Sequence, residues 1–255
     1  MNRIIKFIFL DILKNKIVLF YTLLLAVLSW SVFSLEDNST KGLLTLLNLV
    51  LLSVPLVSII FSTIYLYNSS EFIELLLSQP VKRSRIWRSL FLGLVSSLSL
   101  SLLVGIGIPL WIYAPPQTAI IVLLSSILIS SVFVALAFFS SMITRDKAKG
   151  IGIAIMLWLF FAVLFDGLVL FLMFQLADYP IEKAMVLVAA CNPVDLVRIL
   201  VLLQMDVSAM MGYTGAVFQS FFGSSNGIGM AFGILLLWTL IPFYISLSKF
   251  KKKDL

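Results

Sequence analysis

Six stretches of this chain are apolar for longer than a membrane's hydrocarbon core is thick, and this limits what the rest can be. They cover residues 17–35, 42–67, 90–113, 118–143, 150–176 and 228–247. A helix needs about 20 apolar residues to cross the core, and in lipid each backbone N–H and C=O must be satisfied inside the segment. Six such runs predict an all-α polytopic membrane protein, with residues 1–255 forming a single transmembrane domain. Charged residues make up only 12% of the chain, against about 25% in a soluble domain. No small-residue cleavage site follows the first run, so it is expected to remain as an anchor rather than leave as a signal peptide.

The breaks between runs set the orientation. Arg3, Lys6, Lys14 and Lys16 precede the first run, Lys82, Arg83, Arg85 and Arg88 follow the second, and Arg145, Lys147 and Lys149 follow the fourth. Lys249, Lys251, Lys252 and Lys253 follow the sixth. With six alternating spans all of these fall on one side, and only Lys41, Lys183 and Arg198 fall on the other. The positive-inside rule then places both termini in the cytoplasm. The net charge of +6 is thus a matter of lipid topology, and no nucleic-acid partner is expected.

Composition also excludes chemistry. The chain has no histidine and one cysteine. That removes His-ligated haem or zinc, Ser-His and Cys-His catalytic pairs, internal disulfides and Cys-only metal sites. The pattern GxxxxGK[ST] does not occur, so the chain has no P-loop for ATP. Met185, Cys191, Met205, Met210 and Met211 are soft ligands of the kind that suit Cu(I). Their spacing does not repeat, methionine also fills gaps in apolar interfaces, and no metal site is assigned. The expectation is a non-catalytic chain with no cofactor of its own.

Three segments are not spans. In residues 2–16 the polar Arg3, Lys6, Asp11 and Lys14 share an arc of about 140°, with Phe7 and Leu10 intruding on it. This is either a helix lying on the inner membrane surface or a basic flank that only sets topology. Residues 68–89 carry Glu71 and Glu74 before a leucine run, then Gln79-Pro80, then Lys82, Arg83 and Arg85. They read as a short helix broken before the proline and suited to docking a soluble partner, or as an ordinary basic loop. Residues 177–227 are too apolar for a plain loop and too interrupted to span. Asn192-Pro193-Val194-Asp195 has a cap, a proline at the first helical position and an acid in the first turn. One helix is expected to end near Ala190 and another to run from Pro193 to Met205, before a Gly/Ser-rich connector over 212–229.

Asp166 is the one acid deep in a run, roughly 24 Å from Gly150 along a helix. An ionised acid there costs about 2.5–3.5 kcal/mol on insertion scales. It has either a functional or pairing role, or is a structural Asp that is protonated or bonded to another helix. Arg198 lies among Ile, Leu and Val, where an unpaired charge is costly. Asp195 is three residues away on the same helical face, and Asp166 is a second candidate partner.

These features together resemble the membrane subunits of type-2 ABC transporters. The segment from Glu71 through Pro80 to Arg85 is similar to that family's coupling helix, and the whole chain follows its pattern of an inner-surface helix, six spans and short outer helices. A narrower resemblance is to the permease subunits of transporters that mature nitrous-oxide reductase. It is carried by the coupling segment, Leu164-Phe165-Asp166, and Asn192-Pro193-Val194-Asp195-Leu196-Val197-Arg198. The resemblance implies a bacterial inner-membrane location, a cytoplasmic ABC ATPase that binds the ATP, a periplasmic β-helical accessory protein, and a second copy of this chain. It implies coupling roles for Glu71, Glu74, Arg83 and Arg85, transmission roles for Asp166, Asn192, Pro193, Asp195 and Arg198, and work on the reductase copper site. The alternatives are another exporter of the same type, or an ATP-independent transporter or scaffold in the lipid bilayer.

Overall fold

The computed structural model describes residues 2–36, 38–175, 182–205 and 225–252. Most of the 212–229 connector, with Met210 and Met211, lies outside the described residues. Every regular element among the described residues is a helix. In chain order they are α1 (Asn2–Leu13), α2 (Lys16–Leu35), α3 (Ser39–Asn68), α4 (Ser70–Leu77), α5 (Arg83–Leu102), α6 (Ile108–Tyr113) and α7 (Pro116–Ser141). Then follow α8 (Lys147–Leu159), α9 (Phe165–Gln175), α10 (Glu182–Ala190), α11 (Pro193–Gln204) and α12 (Ser225–Lys252). Two π turns, Leu103–Gly107 and Phe160–Leu164, join α5 to α6 and α8 to α9 without breaking the rod.

Six of the resulting rods are long and apolar enough to cross a membrane: Lys16–Leu35, Ser39–Asn68, Arg83–Tyr113, Pro116–Ser141, Lys147–Gln175 and Gly227–Lys252. The all-α polytopic expectation is borne out. All six rods overrun the apolar runs at one or both ends, because hydropathy marks the hydrocarbon portion while caps end a helix. Asn15 accepts from Ile17 N–H and Asn38 from Thr40 N–H, both at 2.9 Å. Asp146 takes Ala148 and Lys149 N–H at 2.8 and 3.2 Å. Each supplies an acceptor for the orphan donors of a first turn. The third rod begins at Arg83 rather than residue 90, so Arg83, Ser84, Arg85 and Arg88 form its first turns instead of a loop.

The core is built around α7, packed against α3, α12, α5 and α11. Ile129, Val132, Phe133, Ala135 and Phe138 are fully buried. Small residues let the rods approach, as expected where lipid offers no hydrophobic drive between helices. The Ser58 and Ser130 hydroxyls meet at 2.8 Å across the α3–α7 seam. Ser29 donates to the Gly105 carbonyl at 2.8 Å, and a Cβ at Gly105 would lie 2.8 Å from Leu25 Cβ.

The N-terminal helix does more than lie flat. Ile8 and Ile12 are completely buried against α5, where a Cβ on Gly93 would meet Ile8 Cγ2 at 2.5 Å. Ser97 Oγ donates to Phe9 O at 3.3 Å. Phe7 and Leu10, the residues that spoil the polar arc, stay exposed on the other side.

Close packing also locks the start of the fifth rod. Tyr67 donates its hydroxyl to Thr144 O at 2.9 Å, and its ring occupies the space that a Cβ on Gly150 would need. Gly150→Ala should therefore destabilise the protein by about 1–3 kcal/mol, the ordinary cost of overpacking. The check is the unfolding midpoint in detergent; a value within about 0.5 kcal/mol of wild type would mean that Tyr67 swings aside freely.

Candidate functional site

The residues singled out from the sequence collect at the two ends of the bundle. At the end rich in Lys and Arg, α4 connects the second and third rods. Ser69 and Ser78 flank it, and the chain is non-helical from Ser78 to Lys82. Ile73 and Leu76 are buried and fasten it, Glu71 and Leu75 face outward, and Glu74 is exposed on the wall of a cavity. Arg85 is exposed, one turn into the third rod. Arg83 turns the other way and donates to the Lys251 carbonyl of α12 at 3.4 Å. Glu71, Glu74 and Arg85 thus form an exposed charged surface, and Arg83 links that surface to the last helix.

Beneath α4 is a cavity of about 250 Å³, with Tyr67, Ile73, Glu74, Trp87, Arg145 and Phe250 among its walls. Its floor is an aromatic stack. Trp87 lies 4.2 Å from the Phe250 ring and edge-on to Phe138 at 4.8 Å. The Trp87 indole N–H donates to Ser246 Oγ at 3.1 Å. The base of the third rod is thereby joined to the base of α12, and Trp87 and Phe250 share the cavity with Ile73 and Glu74 of α4.

At the far end, α11 is pinned to the fifth rod. Asn192 has no exposed surface and uses all of its amide. Its Oδ1 caps α11 by accepting from Val194 N–H at 3.0 Å. Its Nδ2 donates to Phe161 O at 3.0 Å and to Asp195 Oδ2 at 2.9 Å. Phe161 lies inside the π turn, where the Phe165 N–H bonds the Phe160 carbonyl five residues back. Such a turn loosens the i→i+4 ladder, and here a carbonyl within it is held from the side. Pro193 occupies the first turn of α11 and is itself buried.

One turn further along the fifth rod, Asp166 Oδ2 accepts from Arg198 Nη1 at 2.8 Å. The same nitrogen donates to Asp195 Oδ1 at 3.1 Å. Asp166, Asp195 and Arg198 therefore form one cluster, with Asp195 and Asp166 both on a single guanidinium N–H group. Side-chain exposure is 34% for Arg198, 33% for Asp166 and 14% for Asp195. At that exposure the ion pairs are partly screened, and their geometric role outweighs their raw strength. Burial, followed by contact with Asp166 and its negative charge, pushes the Asp195 carboxyl up to about 7, against the pull of Arg198 and Asn192.

What sequence reasoning missed is the Phe161 carbonyl and the π turn that presents it. The stretch FFAVL has no residue that announces a π turn. The third rod's π turn contains Gly105 and Gly107, but the fifth rod's contains no glycine. Trp238 is a second missed tie. Its indole N–H donates to Ala190 O at 3.0 Å, and its ring meets Phe161 edge-on at 5.2 Å. Cys191 is exposed between α10 and α11. Among the described residues no group of three or more His, Cys, Asp or Glu is placed to hold a metal ion.

Comparison with known proteins adds two findings. A family model described as "ABC-2 family transporter protein" matches residues 4–255. The probable ABC transporter permease protein NosY of Pseudomonas aeruginosa is 28% identical over 223 residues, which span 79% of this chain and 81% of that protein.

Proposed function

The chain belongs to the ABC-2 family of transporters as a permease subunit, and on that premise we propose that it carries ATP-driven motion from a cytoplasmic ATPase to the opposite membrane face. The Lys/Arg-rich end is the cytoplasmic one, both termini lie there, and the membrane is the bacterial inner membrane. The observation that carries the reading is the double tie of α11 to the fifth rod, through Asn192 on Phe161 O and Arg198 on Asp166. A rod held at its far end to a short outer helix moves that helix whenever its base is tilted. The bases of the third and sixth rods are stacked together at the cavity that α4 lines, so a push on α4 reaches several rods at once. ATP is bound by the partner, and this chain contributes no catalytic residue.

The coupling surface is Glu71, Glu74 and Arg85, with Arg83 relaying to α12. Reversing both acids, Glu71→Lys with Glu74→Lys, should cut recruitment of the ATPase to membranes by about tenfold or more while insertion stays normal, since across an interface like-charge contacts cost several kcal/mol. Membrane fractionation with the co-expressed ATPase reads this out. Undiminished recruitment would remove α4 from the interface.

At the outer face, α11 forms part of the docking surface for a periplasmic β-helical partner, and the complex contains two copies of this chain. The work done there is maturation of the copper site of nitrous-oxide reductase. Support comes from the similarity to NosY and from the local stretches Leu164–Asp166 and Asn192–Arg198. The test is complementation. Expressed with its own ATPase in a denitrifying host lacking its permease, this chain should restore copper-loaded reductase. Reductase that stays copper-free, although the complex assembles, would leave the coupling role and refute the maturation role.

A further inference from the structure

The far-end cluster holds one more negative charge than positive charge. Arg198 Nη1 serves both Asp166 Oδ2 and Asp195 Oδ1, and the other donor to Asp195, Asn192 Nδ2, is neutral. Two carboxylates on one guanidinium nitrogen repel each other unless something neutral or positive intervenes. Among the residues whose side chains are described, the elements packed against α11 bring no second cation to the cluster. α7 contains no ionisable residue in its whole length, and neither does the π turn at Phe160–Leu164. α3 carries Lys41 in its first turn, with Tyr65 and Tyr67 near its opposite end. α12 carries Tyr244 and keeps its lysines in the last turn, at the opposite end of the bundle. α10 carries Glu182 and Lys183 at its start, more than two turns from Cys191 and Asn192.

We propose that Asp166, Asp195 and Arg198 form a proton-binding site on the outer face, in which one proton is shared between the two carboxyls and its uptake tightens the tie between the fifth rod and α11. The site is built for exchange. Asp195 is mostly covered, so its charged form is poorly solvated, while Asp166 and Arg198 are each about one-third exposed and give the outer solvent access. Asp195 is raised from its ordinary 3.8 to about 7, burial being the largest cause and Asp166 the next. Because the folded chain holds this proton more tightly than the unfolded chain, the stabilisation is complete below about pH 4 and is lost as pH rises through about 7. Above that, two anions share Arg198 and the tie loosens. The proton site stands on the shared guanidinium nitrogen and the burial of Asp195; its regulatory consequence rests on the transmission reading above.

The experiment is a pH titration of the full-length permease in nanodiscs, from about pH 4 to about pH 9, following the infrared band of protonated carboxyls and the unfolding midpoint together. The wild type should show a carboxyl titrating near pH 7 and a midpoint that falls across the same range. Asp195→Asn should abolish both changes. Asp166→Asn should move the titration toward acid by about one pH unit or more, and Arg198→Gln should move it toward alkali. The opposed shifts keep the test decisive even where Asp195→Asn folds poorly. A titration near the ordinary carboxylate value in the wild type, or one unmoved by both neighbour variants, overturns the proton site. If the titration behaves as stated but Arg198→Ala retains full coupled activity, the proton site stands and the transmission reading fails. If coupled activity is lost without such a titration, transmission stands and the proton site fails.

Discussion

A chain with one alanine inserted between Leu164 and Phe165 should insert and fold, yet lose nearly all ATP-coupled activity. The insertion falls just beyond the π turn Phe160–Leu164, which already absorbs one residue more than an α-helical turn holds. A further residue turns everything beyond it by about 100°, with a shift of about 1.5 Å along the axis. Asn192 keeps its partner, because Phe161 comes before the insertion. Asp166 keeps its identity and depth but rotates away from Arg198. The rest of α9 tolerates the turn, since its sequence FDGLVLFLMFQ is apolar on every side apart from Asp166 and the terminal Gln175. The loss amounts to about 1–3 kcal/mol for a hydrogen bond between charged groups, and Asp166 turned toward lipid adds a cost of similar size. Membrane-inserted protein should be near wild-type abundance, and coupled ATPase activity should fall about tenfold or more. In an Arg198→Ala background the insertion should add little, because the tie it breaks is already gone. An insertion variant that couples like wild type would show that the register of the fifth rod beyond the π turn is irrelevant.

Trp87→Ala should be the most damaging single substitution for stability. Trp87 is 1% exposed, stacks on Phe250, meets Phe138 edge-on, and donates to Ser246 Oγ. Removing a buried indole costs about 3–5 kcal/mol, on the order of 10 °C in the midpoint of a chain this long. Trp87→Phe keeps a ring in the stack and gives up the hydrogen bond, so about 1–2 kcal/mol should be lost instead. Thermal unfolding in detergent separates the two. Equal effects from both would assign the whole contribution to the hydrogen bond, and a negligible effect from Trp87→Ala would mean that Phe138 and Phe250 close the gap.

Much of this could be read along the chain because membrane constraints are periodic and strong. A run of about 20 apolar residues has few fates, and the Asn192-Pro193-x-Asp195 start is a local device whose chemistry does not depend on what surrounds it. The spacing of Asp195 and Arg198 is likewise local. The meeting of Arg198 with Asp166, 32 residues apart, was legible only as one of two options, because it depends on how α11 folds back over the fifth rod. The π turn at Phe160–Leu164 was not legible. Its cost and benefit lie in the fit to Asn192 and Trp238, which come from later parts of the chain. Arg83 illustrates the same limit. Its type and place suggest a surface cation, and only the packing of α12 shows that it reaches back to the Lys251 carbonyl.

The docking of α1 on α5 has a consequence in time. Ser97 bonds the Phe9 carbonyl from 88 residues downstream, and the close contact of Ile8 with Gly93 spans a similar stretch. At about 5–20 residues per second, the ribosome needs roughly 4–18 s to deliver the surface that Ile8 and Ile12 are destined for. During that interval a twelve-residue helix has to be kept from aggregating and from being drawn into the translocation channel. Its other face supplies the means: Phe7 and Leu10 remain exposed in the finished bundle, so they can hold the helix at the lipid headgroups from the start of synthesis without ever having to let go. The same two residues that blur the polar arc thus act as a mooring, and the isoleucines rotate into the bundle once the third rod has been threaded.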